Sequence, residues 1–198
     1  MPQTSSAKVF LVRHGATEWT VSGRHTGLTD LPLTEDGRRE AVRIGRALAD
    51  QPIERVFSSP LQRARSTCEL AGFGDRMELE PDLVEWNYGA YEGLTSAQIH
   101  AQVPDWTVFT HGAPDGESPA QVAARVDRVI ARVCALGVHV ALFAHGHVLR
   151  VLAARWIGLA PAHGAHFLLD TATLSILGHH RGVRALERWN APEKETQP

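Results

Sequence analysis

Short apolar runs alternate with amphipathic segments along most of the chain. The runs, rich in β-branched and other apolar residues, are typical of buried strands. In the segments between them apolar residues recur every three to four positions, which is typical of helices. The predicted strands are residues 8–13, 53–59, 76–83 and 138–145. The predicted helices are residues 33–50, 59–72, 95–102, 118–137 and 146–158.

Residue types at the predicted helix ends support these assignments. A serine followed by a proline begins two of the helices, at 59–60 and at 118–119. Serine caps the first free N–H groups of a helix, and proline fits its first turn. Gly137 follows the last apolar residue of the second of these helices and predicts its end. Residues 83–94 show neither period and predict a structured loop.

The C-terminal part predicts an antiparallel pair. Residues 172–189 are interpreted as two strands joined by a turn at Arg181 and Gly182. Strands alternating with helices predict a three-layer α/β/α sandwich with a mainly parallel sheet and an antiparallel C-terminal edge strand. We expect one domain over residues 1–198, with flexible tails at about 1–6 and 191–198.

Composition limits the classes of partner. The chain has 198 residues, 43% of them hydrophobic, and a net charge of −2. Without a broad basic surface, we expect no nucleic-acid binding, and any anion site must be a local cluster. No apolar stretch has signal-peptide character or membrane-spanning length, so we expect a cytoplasmic protein without a membrane partner. The oligomeric state stays open, and a homo-oligomer is compatible with this sequence.

The two cysteines give no sign of a metal or redox site. Cys68 and Cys134 lie far apart, each within a helical pattern. Neither belongs to a C-x-x-C motif, so we expect both to be small core residues.

Cationic and imidazole side chains end the predicted strands. Arg13 and His14 end the first strand, Arg63 lies early in the helix after the second, and His145 ends the most apolar strand. In a parallel sheet these positions meet at the carboxyl edge, where ligands bind. Arginines and free helix N–H groups suit a phosphate. The glycines that follow each histidine, Gly15 and Gly146, are expected to let the backbone approach that ligand.

A histidine at such a site suits nucleophilic attack on phosphorus. A neutral imidazole can form a bond to phosphorus while nearby cations stabilise the transition state. The leaving alkoxide then needs a proton, for which Glu85 is the best candidate. Trp86 and Tyr88 would exclude water from that carboxyl and favour its protonated form. Asp82 and Glu92 are alternatives that the sequence leaves open.

Two other kinds of site are compatible with some of these residues. His145 and His147 have a spacing seen in metal ligands, and His25 could complete a metallohydrolase site. Against a metal, no acidic residue lies in a matching strand-end motif, and the arginines would repel a divalent cation. An inactive phospho-ligand-binding module is the other alternative. The presence of nucleophile, cations and acid together argues against it.

The order of the motifs resembles a known family. Arg13-His14-Gly15 is the hallmark of the histidine phosphatase superfamily, also called phosphoglycerate-mutase-like. Further segments follow in that family's order: LPLTEDGRREA, SSPLQRARST, LVEWNYGAYEGL, DGES and AHGHVLRVLA. The chain is most similar to the branch of sedoheptulose-bisphosphatase-like enzymes and broad-specificity acid phosphatases.

The resemblance implies roles for individual residues. His14 would become phosphorylated, Arg13, Arg63 and His145 would hold the phosphoryl group, and Glu85 would donate the proton. No cofactor would be needed. The remaining predicted substrate-binding residues are Gly15, Thr20, Arg24, His25, Thr26, Gly27, Trp86, Tyr88, Gly146 and His147.

Departures from the family pattern concern the substrate. Ala16 and Thr20 replace residues common after the hallmark, which affects substrate preference more than chemistry. The paired arginines and longer insertion of phosphoglycerate mutases have no counterpart, so water is the expected phosphoryl acceptor rather than a second hydroxyl. Small sugar phosphates or bisphosphates are the expected substrates, with mutase activity as the alternative. Arg24 and His25 would contact the remote part of such a substrate, such as a second phosphate.

Overall fold

A computed structural model describes residues 7–191 of the chain. Within that range the strands form one mixed sheet of six strands in the order β3-β2-β4-β1-β5-β6. The strands are β1 (Val9–Arg13), β2 (Arg55–Ser58), β3 (Met77–Leu79), β4 (Val140–Ala144), β5 (Leu174–His180) and β6 (Val183–Ala191). The α-helices are α1 (Glu18–Val21), α2 (Glu35–Ala49), α3 (Gln62–Cys68), α4 (Ser96–His100), α5 (Val108–His111), α6 (Pro119–Leu136) and α7 (Gly146–Trp156).

The sheet confirms the predicted fold class. Strands β1 to β4 pair in parallel, β5 pairs antiparallel with β1, and β6 pairs antiparallel with β5. The antiparallel edge thus contains both C-terminal strands. Strand β4 is buried along its whole length and lies between β1 and β2, as its apolar sequence predicts.

Alternation along β1 builds a core on each face of the sheet. Phe10 and Val12 pack with Ile44 of α2 on one face. Leu11 packs on the other face with residues of α6 and α7, including Val126 and Leu149. Because successive strand residues point to opposite faces, this produces the layered arrangement. The carboxyl ends of β1 and β4 therefore lie side by side between the two helix layers.

Helix α6 begins and ends where its sequence predicts. The Ser118 hydroxyl accepts a hydrogen bond from the backbone of Gln121, and the Gln121 side chain accepts one from the Ser118 N–H, which forms a capping box. Gly137 ends the helix in the left-handed conformation, at φ 65°.

Helix α3 is shorter than predicted at both ends. It begins at Gln62 after Leu61, rather than at residues 59–60. The hydroxyl of Ser59 accepts from Leu61 N at 3.3 Å and from His145 Nε2 at 2.8 Å, and the helix begins only after Leu61, which makes no side-chain cap. At the other end a π-helical turn follows Cys68, and Gly72 has φ 88°, which interrupts the helix.

One further prediction needs correction. Cys68 is buried, but Cys134 is exposed, because it lies outside the stripe of α6 that faces the core. Strand β6 ends at Ala191, where the predicted C-terminal tail begins. The predicted tails at residues 1–6 and 192–198 lie outside the described residues. In the part of the chain that is described, no helix is long and apolar enough to cross a membrane.

Two glycines allow the loop after β1 to pack directly on α2. A Cβ on Gly15 would overlap the carbonyl oxygen of Gly37, and a Cβ on Gly37 would overlap the carbonyl oxygen of Ala16. Both sides of this contact are backbone atoms, which cannot move away as a side chain can. The contact therefore fixes the position of Gly15, the residue that follows His14.

Replacing either glycine should therefore destabilise the protein. We expect Gly15→Ala and Gly37→Ala each to lower the free energy of unfolding by about 1–3 kcal/mol through overpacking. Urea denaturation measures this change. Gly74→Ala is the matched control, since its Cβ would lie 3.4 Å from the nearest heavy atom, an ordinary contact. Equal stability of the Gly15 and Gly74 variants would contradict the close-packing role.

Candidate active site

A cavity of about 260 Å³ opens at the carboxyl ends of β1 and β4. It brings together most of the residues predicted from the sequence: Arg13, His14, Thr20, Arg24, His25, Thr26, Glu85, Tyr88, Gly146 and His147. Four residues that the sequence analysis did not place there also line it: Gly23, Ser96, Arg150 and Leu169. The predicted residues Gly15, Gly27, Arg63, Trp86 and His145 are not part of the lining.

His14 is held as a neutral imidazole with its Nε2 unprotonated. Its Nδ1 lies 2.7 Å from the carbonyl oxygen of Gly15. A carbonyl can only accept, so Nδ1 carries the proton and Nε2 keeps its lone pair. Burial, reinforced by the positive charges of Arg63 and Arg13, lowers the pKa of His14 well below its usual value of 6.5. The side chain is thus suited to act as a nucleophile.

Arg13 brings a positive charge beside His14. Its Nη1 donates a short hydrogen bond to the carbonyl of Leu169. Its Nε is buried and finds no acceptor among residues 7–191. The guanidinium packs against Gly146, where a Cβ would lie 3.3 Å from Arg13 Cζ. Gly146 thus makes room for Arg13, and Gly15 makes room for Gly37.

Arg63 lies beneath the cavity rather than in its wall. It is 0% exposed. Its Nη1 donates to Thr29 O at 3.0 Å, and its Nη2 donates to Thr26 O at 3.2 Å and to Gly27 O at 2.8 Å. Burial lowers the pKa of Arg63 below its usual value, an effect that the charge of Glu85 partly opposes. Among the described residues, one N–H on Nη1 has no acceptor, but the guanidinium has no exposed surface and does not line the cavity.

His145 is oriented by two partners that fix its tautomer. Arg63 Nε donates to His145 Nδ1 at 3.1 Å, so that nitrogen is unprotonated. His145 Nε2 therefore carries the proton and donates to Ser59 Oγ at 2.8 Å. Burial and the charge of Arg63 lower the pKa of His145 well below 6.5. Its ring lies edge-on to His14, with centroids 5.1 Å apart.

Polar side chains that sequence reasoning missed hold the loop after β1. Thr67 Oγ1 accepts from Gly15 N at 3.1 Å and donates to the carbonyl of Arg63 at 2.7 Å. Glu40 Oε2 accepts from Ala16 N at 2.8 Å. Two signals in the sequence could have indicated these roles. Thr67 is a polar residue on the buried face of α3, and Ser59 is a polar residue at the end of β2.

Glu85 occupies the N-terminus of α7. Its Oε1 accepts from Val148 N and Trp86 N, and its Oε2 accepts from His147 N, each at 2.9 Å. Two of these donors, His147 N and Val148 N, are free N–H groups of the first turn of α7. The side chain is 4% exposed, yet it borders the cavity. A carboxylate has about four lone-pair sites, so one on Oε2 stays open to a proton.

The two alternatives to Glu85 lie elsewhere. Asp82 forms an ion pair with Arg128, with oxygen–nitrogen distances of 2.6 and 2.8 Å. Glu92 Oε1 accepts from Gly27 N at 2.8 Å and from Thr29 N at 3.2 Å. Neither carboxyl lines the cavity, so geometry favours Glu85 as the proton donor.

Aromatic and imidazole rings form the wall beside Glu85. The Tyr88 hydroxyl makes a short hydrogen bond with His147 Nδ1. The ring of His25 lies 4.9 Å from that of Tyr88 and 5.8 Å from that of His147, centre to centre. Burial lowers the pKa of His25 to about 4, with a smaller contribution from His100. Burial likewise lowers the pKa of His147 well below 6.5.

The rim of the cavity includes residues of the loop after α1. Thr20 Oγ1 donates to the carbonyl of Thr17 at 2.8 Å and caps α1, so its hydroxyl is engaged locally. Arg24 is exposed and its backbone pairs with Thr95. Thr26 and Gly27 supply carbonyls to Arg63. Trp86 is a core residue whose Nε1 donates to Glu117 O.

Arg150 both packs against a neighbouring segment and lines the cavity. Its Nε and Nη2 donate to the carbonyls of Gly164 and Ala165, in the last turn of a 3₁₀-helix. Its guanidinium lies 4.5 Å from the centre of the Phe109 ring.

A metal centre finds no support in the donor set. Within residues 7–191, no group of three or more His, Cys, Asp or Glu side chains is arranged to hold a metal ion. Instead the cavity combines an unprotonated imidazole nitrogen, a guanidinium and a buried carboxyl. Such a set can bind a phosphate, attack its phosphorus and protonate a leaving oxygen.

Comparison with known proteins agrees with this chemistry. The family model of the histidine phosphatase superfamily (branch 1) matches residues 9–192. An acid phosphatase of Mycobacterium tuberculosis is 43% identical over 185 residues, 90% of each chain. The sedoheptulose 1,7-bisphosphatase of Saccharomyces cerevisiae is 36% identical over 184 residues, 77% of this chain and 68% of that protein.

A solved structure is also closely similar. The product of an open reading frame of Mycobacterium tuberculosis superposes with a TM-score of 0.91 and 39% identity, covering 94% of this chain and 98% of that one. The family match and the relatives confirm the predicted enzyme class, a phosphoric monoester hydrolase. The chain belongs to branch 1 of the histidine phosphatase superfamily.

Proposed function

We propose that this protein hydrolyses small phosphorylated metabolites through a phosphohistidine at His14, without a cofactor. The observation that carries the proposal is the hydrogen bond from His14 Nδ1 to the Gly15 carbonyl. It leaves the Nε2 lone pair free in a cavity that also contains Arg13 and Glu85.

In the first step the phosphoryl group is transferred to the enzyme. His14 Nε2 attacks phosphorus, the bond from phosphorus to the ester oxygen breaks, and Glu85 gives its proton to that oxygen. Arg13 in the cavity and the positive charge of Arg63 beneath it stabilise charge on the phosphoryl oxygens. The Gly15 carbonyl accepts from Nδ1 throughout, which stabilises the positive charge that forms on the imidazole ring.

In the second step water releases the phosphate. Glu85, now a carboxylate, takes a proton from water as the water oxygen attacks phosphorus. The bond between phosphorus and Nε2 breaks, and His14 returns to its neutral form. Inorganic phosphate leaves, and Glu85 is protonated for the next cycle.

The shape and charge of the cavity favour a sugar phosphate or bisphosphate. A volume of about 260 Å³ accommodates a phosphate and a short polyol chain. Arg24 and Arg150 add positive charge to the lining, and Ser96 and His25 add hydrogen-bonding groups. The sedoheptulose 1,7-bisphosphatase relative, whose name specifies a sugar bisphosphate, supports such a substrate. A small phosphorylated molecule is therefore the proposed partner.

Loss of the nucleophile should abolish covalent labelling. We expect His14→Ala to show no turnover. After reaction with radiolabelled substrate and a subsequent quench, this variant should contain no acid-labile phosphoenzyme. Glu85→Gln should slow turnover by about 10²–10⁴-fold, because it removes proton transfer. His180→Ala, at an exposed position, is the matched histidine control. Normal labelling of the His14 variant would disprove the proposal.

The imidazole of His14 should stay neutral in mildly acidic solution. A histidine of ordinary pKa becomes mostly charged below pH 6.5, whereas burial and two arginines keep His14 neutral well below that pH. NMR of ¹⁵N-labelled histidine should therefore show the neutral form, protonated at Nδ1, still dominant at pH 5.5. The His14→Gln spectrum assigns the signals. An imidazolium signal for His14 at that pH would contradict this description of the site.

Arg24 should matter for bisphosphates. If its guanidinium contacts a second phosphate, Arg24→Ala raises KM for a sugar bisphosphate by about tenfold or more, the loss of one charge-assisted contact. KM for p-nitrophenyl phosphate should stay within about twofold, since that substrate has no second anion. Arg65→Ala, at an exposed position on α3, is the arginine control. An equal rise for both substrates would exclude the second-phosphate contact.

A further inference from the structure

A buried ion pair lies behind the loop that carries Glu85. Arg125 of α6 is 6% exposed. Its Nε donates to Glu117 Oε1 at 2.8 Å, and its Nη2 donates to Glu117 Oε2 at 3.1 Å. Burying such a charge is costly unless the whole guanidinium is hydrogen-bonded. The ion pair with Glu117 supplies acceptors for only two of the guanidinium N–H groups.

The other N–H groups of Arg125 bind the backbone around Glu85. Nη1 donates to Asp82 O at 2.8 Å and to Val84 O at 2.7 Å. Nη2 donates to Glu85 O at 3.1 Å. Every N–H of the guanidinium therefore has an acceptor, and all of the backbone acceptors lie in residues 82–85. Asp82 lies in a single 3₁₀ turn (Pro81–Leu83), and Val84 and Glu85 belong to no helix or strand, so Arg125 supplies hydrogen bonds to their carbonyls that a longer helix or a sheet would otherwise make.

Glu117 binds the same loop on the far side of Glu85. Its Oε2 accepts from Asn87 N at 2.9 Å, and its backbone N–H donates to Asn87 O at 2.9 Å. Its carbonyl accepts from Trp86 Nε1 at 2.8 Å. The Arg125–Glu117 pair thus fixes the backbone before, at and after Glu85.

Neither member of the pair lines the cavity, so neither touches a bound substrate. The Glu85 carboxyl, in contrast, must meet the ester oxygen within hydrogen-bond distance for proton transfer. We propose that the Arg125–Glu117 pair is a positioning device for Glu85, setting the distance between its carboxyl and the leaving oxygen. This inference rests on the proposed role of Glu85 as proton donor.

The choice of leaving group separates positioning from general stability. A departing alkoxide is a strong base and requires a proton, whereas p-nitrophenolate leaves readily without one. A displaced Glu85 should therefore slow the cleavage of an alkyl phosphate far more than that of an aryl phosphate. A variant that only lowers the fraction of folded protein would slow both reactions equally.

The experiment compares kcat/KM for glycerol phosphate and p-nitrophenyl phosphate. This quantity reports steps up to cleavage of the ester bond and is independent of the hydrolysis of the phosphoenzyme. We expect Arg125→Lys and Glu117→Gln to lower kcat/KM about 10- to 100-fold for glycerol phosphate, as a displacement of about 1 Å can. For p-nitrophenyl phosphate the loss should stay within about threefold.

Arg128→Lys is the matched control. Arg128 lies one helical turn after Arg125 and contacts the same loop, but only through the side chain of Asp82. We expect this variant to keep the wild-type ratio of the two kcat/KM values. If Arg125→Lys does not fold, Glu117→Gln decides the question, because its amide oxygen still faces Arg125. Near-UV circular dichroism establishes that each variant is folded.

Glu85→Gln, measured in parallel, distinguishes failure of the proposed general acid from failure of the proposed positioning role. If it shows strong leaving-group dependence and folded Arg125 and Glu117 variants do not, the positioning role is wrong and the general acid stands. If Glu85→Gln slows both substrates equally, the general acid is wrong, and the positioning role falls with it. In the double variant Glu85→Gln/Glu117→Gln, we expect no loss on glycerol phosphate beyond that of Glu85→Gln. Full additivity would overturn the coupling.

Discussion

The candidate active site depends on which groups hydrogen-bond to one buried cation, Arg63. Within residues 7–191, the hydrogen-bond acceptors of Arg63 are backbone carbonyls and a histidine rather than a carboxylate. The carbonyls belong to residues 26–29, so the loop after the first strand must lie over α3 to keep this charge stable. The same guanidinium holds His145 in one tautomer. The loop, helix and central strand are thereby joined at one point.

The patterns that predicted the fold are those that burial imposes on the sequence. Strand β4 is apolar throughout because helices cover both of its faces, and α6 carries caps that its own sequence supplies. The predicted start of one helix was wrong where a residue distant in sequence contacts a side chain with a strong local preference. Ser59 has the sequence features of an N-cap and its hydroxyl accepts from Leu61 N, but it also accepts from His145 at the end of β4, and α3 begins only at Gln62. Such a contact, 86 positions apart along the chain, leaves no mark on local periodicity.

The site was predictable as a set of groups but not as a geometry. Arg13 ends a parallel strand and His14 follows it, so the topology alone predicted that they lie at the carboxyl edge of the sheet. Which side chains face the cavity depends on packing, and that placed Arg63 beneath the cavity and Arg150 in its wall. Arg125 went unnoticed because a single arginine on an amphipathic helix is usually solvent-exposed. Its position among the valines of the buried face was the signal that could have revealed it.

The unpaired Nε of Arg13 has a consequence for how turnover is limited. A buried donor without an acceptor costs about 1–3 kcal/mol, and an oxygen of a bound phosphate would recover that cost. The released inorganic phosphate offers the same oxygens as the ester from which it came. Capture of the substrate and retention of the product therefore draw on the same interaction. We expect inorganic phosphate to compete with the substrate at this site, linking the rate of the enzyme to the phosphate concentration around it.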